Sequence, residues 1–158
     1  MISVAPIALA RMDSILKWQK SWQTWPAHRP GGLRSIHTRT HGASMPHFVV
    51  DCSQGLLQIH SEESIITRLH RVASASGLFD ESDIKVRMRP FDIYAVGGER
   101  EDFIHTFAWI MQGRSIEQRA ALSKAIVSEL AGMFPLLPRI AVNIAEFEKA
   151  TYFNRTMM

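Results

Sequence analysis

Residues 45–53 read MPHFVVDCS, and this short stretch begins the regularly patterned part of the chain. From His47 to Cys52 it is apolar and rich in β-branched residues, which is typical of a strand, and the polar run 53–55 ends it. Ser61 is a favourable helix N-cap followed by acidic residues, so a helix is predicted next, with Gly77 as its stop. Its apolar residues share one helical face: Ile65, Ile66, Leu69, Val72 and Ala73.

A second strand is predicted over residues 84–94, where apolar residues alternate with basic ones until Gly97 and Gly98 break the pattern. These elements make a β-α-β unit. The same order then repeats, with a strand over residues 103–111, a capping-box pattern at 115–118 that opens a helix, and a last strand over 139–144. Gly132 and Pro135 are predicted to end the second helix, whose inward residues are Leu122, Ala125, Ile126, Leu130 and Met133.

The two predicted N-caps, Ser61 and Ser115, are 54 residues apart, which indicates an internal duplication. Two β-α-β units predict an α+β fold, in which a four-stranded sheet carries two helices on one face. The other face of such a sheet needs cover, and assembly into an oligomer is the simplest way to provide it.

Composition limits the classes of function. The chain has 158 residues with 46% hydrophobic content, enough for one domain with a buried core. Cys52 is the only cysteine, and no Cys/His pattern has zinc-ligand spacing, so we expect no disulfide framework and no metal site. A reducing compartment, the cytoplasm, fits best. No apolar run is long enough to span a bilayer, so we expect no membrane insertion.

Charge divides the chain at Met45. Residues 1–44 hold six basic residues and one acidic residue, whereas residues 45–158 hold 12 basic and 14 acidic residues. We predict that 1–44 is an N-terminal extension without packed structure and that 45–158 is the domain. A transit peptide and a basic, tryptophan-bearing arm for nucleic acid or acidic surfaces are alternatives for the extension, but an upstream start artefact is favoured. The domain itself shows no basic face for nucleic acid.

Four short motifs carry a family resemblance: Met-Pro-His-Phe-Val-Val-Asp-Cys-Ser at 45–53, Gly-Leu-Phe at 77–79, Phe-Ile-His at 103–105 and Gly-Arg-Ser at 113–115. Together they resemble the 5-carboxymethyl-2-hydroxymuconate isomerase family of the tautomerase superfamily. The resemblance extends over nearly all of residues 45–152. It implies a duplicated β-α-β fold, assembly as a homotrimer, no cofactor, and a catalytic N-terminal proline at Pro46.

The chemistry of a terminal proline agrees with that implication. An internal proline nitrogen is an amide, but a free N-terminal proline is a secondary amine that can take up and return a proton. Removal of Met45 would expose this amine at Pro46, and burial would lower its pKa by disfavouring the charged form. The ordinary alternative is a proline at the entry to a strand.

Arg114 is the second candidate, because it lies where a strand meets a helix N-terminus, a place that favours a carboxylate. The resemblance also implies that it holds a carboxylate of the substrate. Arg87 matches a further family arginine, whereas Lys85 stands where another arginine is expected, which keeps the charge but loses the bidentate fork. The alternative is that Arg114 is a solvated helix-start residue and that Arg87 lies on the solvent face of a strand.

Pocket walls are predicted from Phe48, Phe103 and Trp109, with core packing as the alternative. The leading hypothesis is isomerisation of 5-carboxymethyl-2-hydroxymuconate, a small carboxylate-bearing substrate, in the breakdown of aromatic compounds. Another proline-based tautomerase of enol or unsaturated acids is the second hypothesis. If Pro46 is never freed, a non-catalytic trimeric binding or scaffold protein is the third.

Overall fold

The computed structural model describes residues 45–158, so the predicted extension at residues 1–44 lies outside the described residues and its boundary stays a prediction. The described chain forms strands and α-helices in the order β1 (His47–Ser53), α1 (Glu62–Ala75), β2 (Lys85–Phe91), β3 (Ile104–Met111), α2 (Ile116–Met133) and β4 (Ile140–Phe147). Short 3-10 turns lie at Gln54–Gln58, Glu81–Asp83, Lys149–Thr151 and Arg155–Met157.

The four strands form one sheet in the order β2-β1-β3-β4. β1 runs parallel to β2 and β3 runs parallel to β4, while β1 and β3 are antiparallel. Each parallel pair is therefore one β-α-β unit, and the antiparallel pair joins the two units. The predicted α+β fold with a duplicated unit is confirmed.

Both predicted helix starts are confirmed by their side-chain bonds. The Ser61 hydroxyl accepts a hydrogen bond from the Ser64 backbone N–H at 3.2 Å. The Ser115 hydroxyl accepts from the Gln118 N–H at 3.2 Å, and the Gln118 side chain accepts from the Ser115 N–H at 2.9 Å, which completes the capping box. Gly77 follows α1 with φ +67°, a conformation that glycine adopts without steric cost.

The predicted end of α2 and one predicted core residue are wrong. Gly132 lies inside α2, which continues to Met133 and gives way at Phe134, before Pro135. Ala125 is exposed. The buried face of α2 runs through Leu122, Ile126 and Leu130, and Ala125 lies beside this face and not on it.

Two strand ends differ from prediction because pairing, not composition, sets their length. β2 stops at Phe91, three residues early, because its partner β1 ends at Ser53, which pairs with Phe91. β4 runs to Phe147, three residues beyond prediction, because β3 continues to Met111 and pairs with it.

Both helices pack on the same face of the sheet and against each other. The core between them and the sheet takes alternate residues from the central strands: Phe48, Val50 and Cys52 of β1, and Ile104, Ala108 and Ile110 of β3. Cys52 is a free, fully buried thiol, and burial, with Glu62 and Asp51 nearby, raises its pKa to about 11. A thiol held protonated in this way is a core residue and not a nucleophile.

The opposite face of the sheet, which we call the open face, carries an ion pair and a row of aromatic rings. Arg89 on β2 makes two hydrogen bonds to the Asp51 carboxylate on β1, at 2.8 and 3.0 Å. On β3, the rings of His105 and Phe107 stack at 4.2 Å, and Phe107 stacks in turn on Trp109, whose exposed fraction is 39%. The helices leave this mixed surface uncovered.

Candidate active site

Pro46 is fully buried immediately before β1. Its carbonyl oxygen accepts a hydrogen bond from the backbone N–H of Lys85 at 3.1 Å, which fixes it against the start of β2. His47 pairs with Trp109, so Pro46 lies level with Ile110 near the end of β3. While Met45 is attached, the Pro46 nitrogen is an amide without basic character.

The Lys85 ammonium contacts Met45, the residue that precedes Pro46. Its Nζ atom is 3.5 Å from the Met45 sulfur and 3.4 Å from the Asp83 carbonyl oxygen. Removal of Met45 would therefore leave a cation beside the new terminal amine. The structure brings the predicted residues Lys85 and Pro46 together.

Arg87 reaches the same strand start from the open face. Its Nη1 atom lies 3.3 Å from Nδ1 of His47. A guanidinium can only donate, so Nδ1 accepts and the imidazole is neutral. Burial lowers the pKa of His47, and the charges of Arg87 and Lys85 lower it further. Positive charge thus accumulates around the first residues of β1.

Arg114 is held in the loop between β3 and α2, where Gly113 adopts φ +111°. Its guanidinium donates to the carbonyl of Met111 at 3.1 Å and to that of Leu78 at 2.8 Å, and it lies 5.3 Å from the centre of the Phe79 ring. Burial lowers the pKa of Arg114, an effect that Glu146 opposes. The two carbonyl contacts use a minority of its five N–H groups.

Phe48 connects Arg114 to the strand that follows Pro46. The Phe48 and Phe79 rings meet edge to face at 6.0 Å, and the Arg114 guanidinium also contacts the Phe79 ring. Because Phe48 is only 1% exposed, it packs in the core and supports the loop that carries Phe79. It does not offer a free surface to a ligand.

Phe103 is not brought to Pro46. Its backbone N–H donates to the Ser53 hydroxyl at 2.8 Å, and its ring packs on Tyr94 at 5.3 Å, so it lies at the far end of β1. The length of β1 separates the two residues by roughly 20 Å. Trp109 lies at the Pro46 end, but its ring is on the open face with Phe107.

Sequence reasoning missed the ion pair between Arg119 and Glu146, which are 3.2 Å apart. Arg119 lies three residues before Leu122, so it begins the inward stripe of α2 and reaches the end of β4. Glu146 pairs with Ile110 in the sheet, in the same row as Pro46. A charged residue on the apolar stripe of a helix was the available signal.

Residues 45–158 contain no group of three or more His, Cys, Asp or Glu side chains arranged to hold a metal ion. Within the same range, no helix combines the length and apolar character needed to cross a bilayer.

The profile of the family described as 5-carboxymethyl-2-hydroxymuconate isomerase matches residues 46–155. The chain belongs to this family. Among relatives of the 5-carboxymethyl-2-hydroxymuconate isomerase family, the Delta-isomerase of Escherichia coli is 24% identical over 106 residues, which cover 66% of this chain and 84% of that protein. This membership supports an isomerase of the tautomerase type.

Solved structures show the same fold. A 5-carboxymethyl-2-hydroxymuconate isomerase from Deinococcus radiodurans R1 superposes with a TM-score of 0.63 at 24% identity, covering 72% of this chain and 90% of that one. A fused 4-OT protein, solved as an asymmetric trimer, gives a TM-score of 0.60 at 15% identity, covering 69% and 92%. The duplicated β-α-β domain of this family member is the tautomerase fold.

The lowered pKa of His47 is directly testable by NMR titration of the full chain. We expect His47 to titrate below its ordinary value of 6.5. Arg87→Met should raise that pKa only part of the way to 6.5, because burial is the larger cause. Since the unfolded pKa is about 6.5, the stability that neutral His47 contributes is complete above that pH and is lost as pH falls through the folded pKa.

Arg68→Met is the matched control, because Arg68 pairs with Glu129 between the helices and not with His47. It should leave the His47 titration unchanged. A His47 that titrates at or above 6.5 would contradict the placement of the two cations around it.

Proposed function

We propose that this protein is a cytoplasmic isomerase that moves a proton along a conjugated hydroxymuconate-type polyacid, with the Pro46 amine as general acid and base. The specific reaction proposed is that of a 5-carboxymethyl-2-hydroxymuconate delta-isomerase in the catabolism of aromatic compounds. The observation that carries the proposal is the burial of Pro46 at the start of β1, beside the Lys85 ammonium. Family membership supports the same class of reaction.

The surroundings of Pro46 suit an amine that acts as a base at neutral pH. A free α-amino group titrates near about 7.7 to 8.0. Burial and neighbouring positive charge both disfavour its protonated form, and Pro46 has both, from its position in the sheet and from Lys85. The freed amine would therefore be neutral at working pH.

The reaction needs only this one group to carry the proton. The neutral amine takes the proton of the enol hydroxyl, and the electrons shift along the conjugated system as the hydroxyl carbon becomes a ketone. The protonated amine then returns the proton to a carbon farther along the chain, so that a double bond has moved and no atom is gained or lost. No cofactor takes part in this scheme.

Cations on two sides of Pro46 support a substrate with more than one carboxylate. Lys85 and Arg87 approach from the open face, whereas Arg114 lies beyond Phe79 on the helix side. Arg114 is partly desolvated and its contacts within the protein are to carbonyl groups, so a carboxylate is the ligand that would compensate its charge.

A homotrimer is part of the proposal. Fused 4-OT proteins of the same fold are solved as an asymmetric and a symmetric trimer. In this chain, the open face with Phe107 and Trp109 is the surface that helices do not cover, and burying it between copies would shield those rings.

Two other functions remain as alternatives. Lys85 in place of a family arginine favours a different enol or unsaturated acid as substrate, since a single ammonium cannot bind a carboxylate as a bidentate fork does. If Pro46 stays an amide, the fold serves as a non-catalytic binding or scaffold protein.

The first test is the N-terminus of the protein purified from its native host, read by intact mass and sequencing. We expect a mature chain that begins at Pro46 and isomerises the dienol, followed by ultraviolet absorbance. A matched chain that retains Met45 should lose activity by a factor of about 10² or more, because general acid–base catalysis contributes that much. Equal activity with Met45 retained, or a native chain that keeps residues before Pro46, would refute the proline mechanism.

Lys85→Met tests carboxylate binding beside the amine. Losing a hydrogen bond to a charged group should raise KM about tenfold or more, with a smaller effect on kcat. The rising limb of the pH profile should also move to higher pH, because a positive charge beside the amine is gone. Lys124→Met is the matched control on the exposed surface of α2 and should change neither quantity; identical kinetics for both variants would remove Lys85 from the site.

Sedimentation equilibrium tests the trimer. We expect the mature wild-type protein to sediment at three times the mass of its own chain, as read by mass spectrometry, and Phe107→Asp to shift the protein to a smaller species. Ile116→Asp is the matched control, because Ile116 is 71% exposed on the helix side and should keep the trimer. A monomeric wild type would refute this part of the proposal.

A further inference from the structure

The Gly-Leu-Phe segment at residues 77–79 follows the end of α1, and the proposed reaction gives none of its residues a part. Gly77 turns the chain with φ +67°. The Ser76 hydroxyl donates to the Ala73 carbonyl at 2.6 Å and accepts from the Leu78 N–H at 3.3 Å. The backbone of Leu78 is thereby tied to the last turn of α1.

This fixed backbone presents the Leu78 carbonyl oxygen to Arg114. Nη2 of Arg114 donates to that oxygen at 2.8 Å, while Nη1 donates to the Met111 carbonyl at 3.1 Å. Two separate segments of chain therefore hold the two terminal nitrogens of the guanidinium. Both acceptors are neutral, and most of the five N–H groups remain for a ligand.

Phe79 gives the guanidinium a third contact. The central carbon of the Arg114 guanidinium lies 5.3 Å from the centre of the Phe79 ring, within the range at which a cation is attracted to an aromatic face. Phe79 is only 7% exposed, and its ring meets that of Phe48 on β1 edge to face at 6.0 Å. The ring is therefore a fixed surface, supported by the strand that follows Pro46.

Such support matters for a long side chain in a loop. Arg114 follows Gly113, which has φ +111°, between β3 and α2, and the residue stays partly exposed. Arginine has many rotamers, and ordering them when a ligand binds costs free energy. A guanidinium that two carbonyl groups and a ring already hold has lost much of that freedom before the ligand arrives.

We infer that Phe79 is a positioning residue, which holds the Arg114 guanidinium in the orientation that binds a carboxylate of the substrate. The inference rests on the proposed function, because carboxylate binding by Arg114 is part of it. Phe79 acts through Arg114 and does not itself touch the substrate. The Leu78 carbonyl is the second support from the same segment.

The first measurement is NMR relaxation of the Arg114 Nε–H group in the full chain, which reports the order of this side chain without any substrate. The signal is assigned by its absence in Arg114→Met. The wild-type order parameter should approach the value of about 0.85 that is typical of a rigid backbone, and Phe79→Leu should lower it below about 0.6. Leucine fills much of the space but has no aromatic face. Phe79→Met serves in the same way if the leucine variant does not fold.

The second measurement is steady-state kinetics of the mature protein. Phe79→Leu should raise KM about fivefold and change kcat by less than about twofold, because a rotamer-rich side chain must then be ordered by the substrate. In an Arg114→Met background, Phe79→Leu should leave KM unchanged, since its effect passes through the guanidinium.

Phe134→Leu is the matched control. Phe134 is 3% exposed, and its ring also meets another ring edge to face, that of His60 at 5.1 Å. It follows the last residue of α2, whereas Arg114 precedes the first, so the length of the helix separates them. The control should lower the free energy of unfolding in denaturant as Phe79→Leu does, but leave the order of Arg114 and KM unchanged.

Three results would overturn the positioning role: unchanged order of Arg114 in Phe79→Leu, an equal loss of order in Phe134→Leu, or a rise in KM that persists in the Arg114→Met background. A loss of order with no change in KM would overturn the link to the substrate carboxylate. Absence of isomerase activity in the mature wild type would refute the proposed function instead, and the order of Arg114 would still decide whether Phe79 holds it.

Discussion

Antiparallel pairing between β1 and β3 is the interaction on which the candidate site depends. It joins the two β-α-β units and places the start of β1 beside the end of β3. Pro46 comes from the first of these ends and Arg114 from the loop after the second, although 68 residues separate them in the chain. This pairing is what brings a cation of the second unit to the end of the sheet that holds Pro46.

Positive charge gives that end of the sheet its chemical character. Lys85, Arg87 and Arg114 surround the first residues of β1, and their contacts are largely to carbonyl oxygens, sulfur and a neutral imidazole. Such groups solvate a cation less well than a carboxylate does, so an anionic ligand gains from binding there. The same charges favour a neutral amine, and in this way substrate binding and proton transfer draw on one electrostatic arrangement.

Local signals predicted much of the fold. The Ser115 capping box, the Ser61 N-cap and the Gly77 stop depend on residues within one turn of each other, and each was found as predicted. Strand lengths were less predictable, because a strand extends only as far as its partner does. Among the site residues, Phe103 was predicted to line a pocket with Pro46 but lies at the other end of β1. The Arg119–Glu146 pair was missed, since nothing near Glu146 in the sequence indicates its partner.

The sequence by itself determined the order of elements, the duplication, the family and the one residue, Pro46, whose nitrogen changes from amide to amine when the chain is cut before it. These depend on patterns and bonds within short stretches of chain. The tertiary structure alone decided how the candidate cations are arranged around the start of β1, that Phe48 packs in the core, and that Glu146 lies in the same row of the sheet as Pro46. Those relations come from strand register and helix packing, which bring together side chains that are distant in sequence, and no local pattern encodes them.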